Sequence, residues 1–299
     1  MTLPNFLIIG AAKCGTSSLD RYLSQHPDIY IPPKKEAHYF SIPSFPKRFQ
    51  GPGDDGMNNE TIRSKDDYYA LFSGAQKQRA VGESSVFYLY YPGTAERIQR
   101  ELPDVKLLVM LRNPVNRAFS AYMHLIRDNR EHLSFKDSLK QEEKRKESDF
   151  EPMWLYRELG LYTEQIERYL QVFDKRQMKF ILFEDFTART QDVLKDVLTF
   201  LEVDPDVPID TSLQHNESGV PKNRWLYDFI SKPHGIKELV KPLIPQPVRE
   251  RIGIRAKSMT LRKESMPDSL RQELKQYFRP DIQKLEDLIE RDMSVWLNK

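Results

Sequence analysis

Hydrophobic positions fall along this chain in two alternating rhythms. Short apolar runs, Phe6 to Ile9, Lys106 to Leu111 and Met178 to Phe183, are bounded by turn or polar residues and are too short for buried helices, so they predict strands. Between them, apolar residues recur every three or four positions, as in Leu19, Tyr22 and Leu23, in Val115, Phe119, Tyr122 and Met123, and in Val193, Leu194, Val197, Leu198 and Leu201. These predict helices after Gly15, from Pro114 and over 190–201. Further helices are expected over 67–72, 94–101 and 162–173, with one or two closing helices over 265–296, and lesser strands at 29–31 and 80–85. Residues 43–65, rich in Pro, Gly, Asn and Asp, read as a long loop of the kind that often walls a substrate site. Residues 134–149 are strongly charged and read as a solvated helix or loop. Strand and helix in alternation predict an α/β fold, a central mainly parallel sheet flanked by helices, with ligands at the carboxyl ends of the strands. Gly10 to Ser18, the polar turn Glu83 to Ser85 and Arg112 all fall at such ends.

Composition adds mainly exclusions. At 299 residues, with 39% hydrophobic and 30% charged residues, the chain fits an ordinary soluble globular protein, read as one domain over 1–299. A net charge of +2 implies no general nucleic-acid affinity. The single cysteine, Cys14, excludes a disulfide framework and a multi-cysteine metal site. The start MTLPNFLIIG lacks a basic signal region, and no stretch of 18 apolar residues exists to span a membrane, so a cytoplasmic, reduced protein is expected. Residues 232–263 carry nine Lys or Arg against two Glu, with four prolines. This excursion is either a solvated surface or a patch for an acidic partner or membrane. His26, His124, His132, His215 and His234 form no metal-ligand pattern and are expected to be structural or solvent-exposed.

The chemistry concentrates in FLIIGAAKCGTSS, residues 6–18, which reads as strand, tight loop and helix start. A helix start presents unpaired N–H groups and the positive end of a dipole, a ready anion site. Gly10 and Gly15 have the spacing of the triphosphate loop G-x-x-x-x-G-K-[ST], but Thr16 follows Gly15 and the lysine, Lys13, precedes it. The alternative is a glycine-rich turn that holds no ligand.

Three segments, FLIIGAAKCGTSSLDRYLSQHP, KKEAHYF and LLVMLRNPVNRAFSAYMH, together resemble the sulfotransferases that use 3′-phosphoadenosine 5′-phosphosulfate (PAPS), in the branch of bacterial sulfotransferases and the sulfotransferase domains of heparan sulfate biosynthesis. The likeness runs from about Pro4 to Arg224. It implies a P-loop-like three-layer fold, PAPS as co-substrate and no required metal. By this resemblance the loop Ala12, Lys13, Cys14, Gly15, Thr16, Ser17 and Ser18 holds the 5′-phosphosulfate, and Arg112 and Ser120 bind the 3′-phosphate. An arginine in place of a metal-binding acid suits a phosphate monoester. Lys13 would neutralise charge on the bridging oxygen as the sulfuryl group leaves. Glu36 matches the catalytic glutamate of the heparan sulfate branch and is the candidate general base, with His38 as rival, since another branch uses histidine. Two apart, they would face the same side of an extended segment. Lys35 would steer an acidic substrate. Lys222, Asn223 and Arg224, in NESGVPKNRWL, resemble the loop that closes over the nucleotide, although glycine often stands where this chain has Asn223. The implied acceptor is a hydroxyl of a carbohydrate or glycoconjugate, with a lipid or secondary-metabolite hydroxyl as the alternative. Two other classes stay open: a kinase on the same fold, against which the missing lysine after Gly15 counts, and an idle nucleotide-binding module, against which Lys13, Glu36 and His38 count. Oligomeric state is not legible.

Overall fold

The computed structural model describes residues 3–212, 220–221, 261–262 and 264–298. Its centre is a sheet built from β1 (Phe6–Gly10), β2 (Ile29–Tyr30), β3 (Ala80–Ser84), β4 (Lys106–Leu111) and β5 (Met178–Leu182). The spatial order is β2-β3-β1-β4-β5, and every neighbouring pair is parallel. β1 lies in the middle and is buried at all five positions, which is why its apolar run is continuous instead of alternating. Parallel pairing puts the ends of β1, β3 and β4 on one edge, Ile8 opposite Ser84 and Leu108.

Helices cover both faces. α1 (Thr16–Leu23) follows β1; α2 (Asp55–Glu60) and α3 (Lys65–Ala70) precede β3; α4 (Thr94–Glu101) leads into β4. α5 (Pro114–Arg127) starts with proline in its first turn, and the Asn113 side chain caps it by accepting from the Val115 and Asn116 amides, at 3.0 and 3.3 Å. α6 (Phe135–Leu139), α7 (Glu142–Glu147) and α8 (Tyr162–Leu170) precede β5; α9 (Phe183–Ala188) and α10 (Thr190–Phe200) follow it. A short antiparallel pair joins β6 (Val220–Pro221) to β7 (Leu261–Arg262). The chain closes with α11 (Asp268–Ile289) and α12 (Ser294–Asn298). α11 lays Leu270, Leu274, Phe278, Ile282 and Leu285 into the core at helical spacing. Its Asp281 caps α8, accepting from the amides of Tyr162 (2.9 Å) and Thr163 (3.2 Å).

Three expectations change. The 43–65 stretch contains α2, a helix with no buried residue of its own. Tertiary bonds hold it: Asn58 exchanges two 2.9 Å bonds with the Phe49 backbone, and buried Asp54 accepts from the amides of Gly51 and Glu151 (2.8 and 2.9 Å) and from the Trp154 indole (3.0 Å). Residues 134–149 are only half solvated, since Phe135, Ser138, Leu139, Glu142 and Arg145 are buried. The segment carrying Glu36 and His38 is not extended, because both residues adopt left-handed backbone angles, φ 57° and 52°. No helix among the described residues is long and apolar enough to cross a membrane.

Candidate active site

At the carboxyl edge of the sheet lies a cleft of about 400 Å³. Its floor is the loop after β1. Lys13 and Gly15 take left-handed angles, φ 68° and 94°, and Gly15 serves as N-cap of α1 with no side chain to occupy the first-turn amides. A Cβ on Gly15 would stand 2.9 Å from the Phe183 ring, so only glycine fits without displacing that ring. Ala12, Lys13, Gly15, Thr16, Ser17 and Ser18 all line the cleft. The Cys14 side chain does not: its thiol is buried 3.6 Å from the Tyr162 hydroxyl, and burial pushes it up to about 11, so it stays protonated. Only the Cys14 backbone contributes to the loop.

Arg112 leaves the end of β4 and faces the same space. Its guanidinium donates to the Lys13 carbonyl at 3.2 Å and stacks 4.4 Å from the centre of the Phe183 ring, which fixes its orientation. Ser120, two turns into α5, joins it. One and two turns further come His124 and Arg127, also in the cleft, with an Arg127 nitrogen 2.6 Å from His124 Nδ1. Burial, Lys13, Arg127 and Arg130 hold His124 well below the usual histidine range, so it is neutral. Sequence reading assigned His124 a structural or exposed role and passed over Arg127. The i, i+4, i+7 spacing from Ser120 was the available signal. Burial, with Arg127 and Arg112 nearby, brings the Lys13 ammonium down to about 8.

Across the cleft stands Glu36. Its Oε2 accepts from the Val86 amide at 2.9 Å and lies 3.3 Å from His38 Nε2. The two side chains therefore meet, as expected, but through two left-handed residues instead of an extended strand. Burial raises Glu36 to about 7, against the opposing pull of the Val86 amide and Lys35. His38 is 2% exposed, against 37% for the Glu36 side chain, and stacks on Phe87 with ring centres 5.4 Å apart. Burial drives it down to about 3, so it is a neutral imidazole beside Glu36, and its Nδ1 is buried with no partner. Lys35 pairs with buried Asp20 at 3.5 Å and does not line the cleft. Glu83 is fully buried behind this wall, accepting from Ser85 at 2.8 Å, while Ser85 accepts from the His38 amide at 3.0 Å. Gly56, Met57, Glu60 and Thr61 of the α2 segment, with Glu151 and Met153, complete the walls. No group of three metal-ligating side chains occurs among the described residues. Lys222, Asn223 and Arg224, most of the basic stretch 232–263, His215 and His234 lie outside the described residues.

The sequence model of the sulfotransferase family matches residues 4–206. A crystal structure of a sulfotransferase from Alicyclobacillus acidocaldarius superposes with a TM-score of 0.81 at 51% identity, covering 99% of each chain. Human carbohydrate sulfotransferase 15 is 24% identical over 248 residues, which cover 68% of this chain and 44% of that protein. Membrane-associated sulfotransferase kil1 of Dictyostelium discoideum is 34% identical over 122 residues, 41% of this chain and 23% of that protein. The chain thus spans less than half the length of these two curated relatives.

Proposed function

Because this chain belongs to the sulfotransferase family, we propose that it transfers a sulfuryl group from PAPS to a hydroxyl of a carbohydrate or glycoconjugate. The carrying observation is the opposition, across one cleft, of a cationic anion-binding loop and a carboxylate tuned near neutrality. The residues fit a doubly anionic nucleotide. The open N-terminus of α1 with Lys13, Thr16, Ser17 and Ser18 suits the 5′ end, and Arg112 with Ser120 suits the 3′-phosphate. PAPS supplies an activated sulfur whose bond to the phosphate oxygen breaks as the acceptor oxygen bonds to it. Glu36 takes the acceptor proton. Its Oε2 accepts from the Val86 amide and lies 3.3 Å from His38 Nε2, which leaves Oε1 for that proton. Lys13, cationic below about 8, stabilises the negative charge left on the departing phosphate oxygen. His38, hidden behind Glu36 and not basic, orients the carboxylate.

Calorimetric titration with 3′-phosphoadenosine 5′-phosphate (PAP) tests this reading. Binding should be tight without divalent metal. Arg112→Ala should lose about 1.5–3 kcal/mol toward PAP, yet lose little toward the analogue lacking the 3′-phosphate. Magnesium-dependent ATP binding with no PAP binding would instead make the protein a kinase.

A further inference from the structure

Two lysines precede Glu36 in the chain, and they are placed differently. Lys34 is exposed, whereas the ammonium of Lys35 is buried. Its counter-charge is the buried Asp20 Oδ2, 3.5 Å away, and neither atom has a hydrogen-bond partner closer than that. A well-made charged hydrogen bond would be about 2.7–2.9 Å long. So loose a pair leaves the field of the ammonium incompletely cancelled, and the next residue in the chain is Glu36. Asp20 belongs to α1, the helix whose first turn faces the cleft, so the pair also ties that helix to the Glu36 segment. Burial is the main reason that Glu36 is raised to about 7; the Val86 amide and Lys35 oppose the rise, and Glu83 on β3 and Asp20 on α1 add to it. His38, 3.3 Å away, is neutral.

Resting on the sulfotransfer reading above, we propose that Lys35 is a positioning residue of the reaction: its inward ammonium, anchored by Asp20, holds Glu36 as the carboxylate that accepts the acceptor's proton. Lys35 does not line the cleft, so its charge acts through Glu36 and not on a substrate. Without that charge Glu36 has only the Val86 amide to offset burial and two acidic neighbours, and it keeps its own proton to higher pH. A carboxyl that holds its proton cannot serve as the base. Asp20 works in the opposite direction twice: it adds negative charge near Glu36, and it neutralises part of Lys35. Removing either member breaks the same ion pair, yet the consequences for Glu36 have opposite sign. A pair that merely pinned the segment to α1 would make no such distinction.

The test reads Glu36 directly, by NMR of the side-chain carboxyl carbons of the isotope-labelled full chain across the neutral pH range, and needs no acceptor. The Glu36 signal is the one that Glu36→Gln removes and that Glu83→Gln, whose own group titrates in the same range, retains. Its midpoint should lie near 7 in the parent chain. Lys35→Met, which keeps the stem but not the charge, should raise the midpoint by about one pH unit, the low end of what an adjacent charge does. Asp20→Asn should lower it, and Lys35→Arg should leave it near the parent value. The other ionisable groups of the cleft, Lys13, Glu60, Arg112, His124, Arg127 and Glu151, are the same in all these chains. The inference is overturned if Lys35→Met lowers the midpoint or leaves it in place, or if Asp20→Asn raises it or leaves it in place. A lower melting temperature with unmoved midpoints would make the pair a structural tie and nothing more. Should Lys35→Met not fold, the direction of the Asp20→Asn shift decides alone. Failure of the sulfotransfer reading looks different: the parent chain would not bind PAP, whatever the midpoint of Glu36.

Discussion

The choice between Glu36 and His38 as base turns on burial. Histidine has the more convenient ordinary pKa, but here it is sealed against Phe87 and held neutral, while Glu36 opens to the cleft and sits near 7. Glu36→Gln should therefore cut turnover about 10²–10⁴-fold with PAP affinity intact. His38→Ala should cost less, by loosening the carboxylate. A dead His38→Ala beside an active Glu36→Gln in steady-state assays would reverse the assignment. The same groups set a pH profile. Glu36 must lose its proton and Lys13 must keep its own, so kcat/KM should rise as pH passes about 7 and fall as it passes about 8. In the rate with bound PAPS the alkaline limb should move upward, because phosphate and sulfate charges beside Lys13 favour its cation.

At the scale of elements, α2 is the least self-sufficient piece of the cleft wall. It buries none of its residues and depends on Asp54, whose carboxylate ties the segment to Gly51, Glu151, Trp154 and Arg130. Asp54→Ala takes one of two carboxylates from Arg130, leaving it Glu151 and the Pro52 carbonyl, and strands the Gly51, Glu151 and Trp154 donors. Breaking a buried, bonded ion pair costs about 3–5 kcal/mol, so chemical denaturation should show a loss of that order. A change within about 0.5 kcal/mol would show that α2 is held by something other than this carboxylate. α5 makes the complementary point: one helix face delivers Ser120, His124 and Arg127 to the cleft, while Asn113 fixes where the helix begins.

At the scale of the molecule, the sheet itself buries an acid. Glu83 lies near the end of β3 with 1% exposure, and burial raises it from the usual 4.5 to about 7. A raised folded-state pKa means that stability is fully present below about 4.5 and is lost as pH climbs through 7. The group's ionisation thus costs the fold on the order of 3 kcal/mol at alkaline pH. Glu83→Gln cannot ionise, so its stability relative to the parent should improve by about that amount between pH 4.5 and 8, measured by denaturant melts across the range. A pH-independent difference would mean that Glu83 is not protonated in the fold. The chain is expected to melt in one transition, since Asp281 of α11 caps α8 and the Trp296 carbonyl accepts from Asn113 at the start of α5.

The sequence by itself determined the parts whose cause is local. β4 and α4 match their expected ranges, and β1 and α10 differ from theirs by one residue, because an unbroken apolar run or a 3.6-residue rhythm is written into neighbouring positions. The anion loop was legible for the same reason, as glycine, lysine and hydroxyls stand in one short stretch. Tertiary structure decided whatever depends on burial or on distant partners. Nothing near Glu36 in the chain tells that Val86 will bond it or that Phe87 will seal its neighbouring histidine, fifty residues on, and those contacts select the base. The same holds for α2, which has no apolar face to announce it, and for His124, whose place in the cleft rests on where α5 docks on the sheet. Local periodicity encodes elements; the dielectric and the partners that give a side chain its chemistry exist only once the elements are packed.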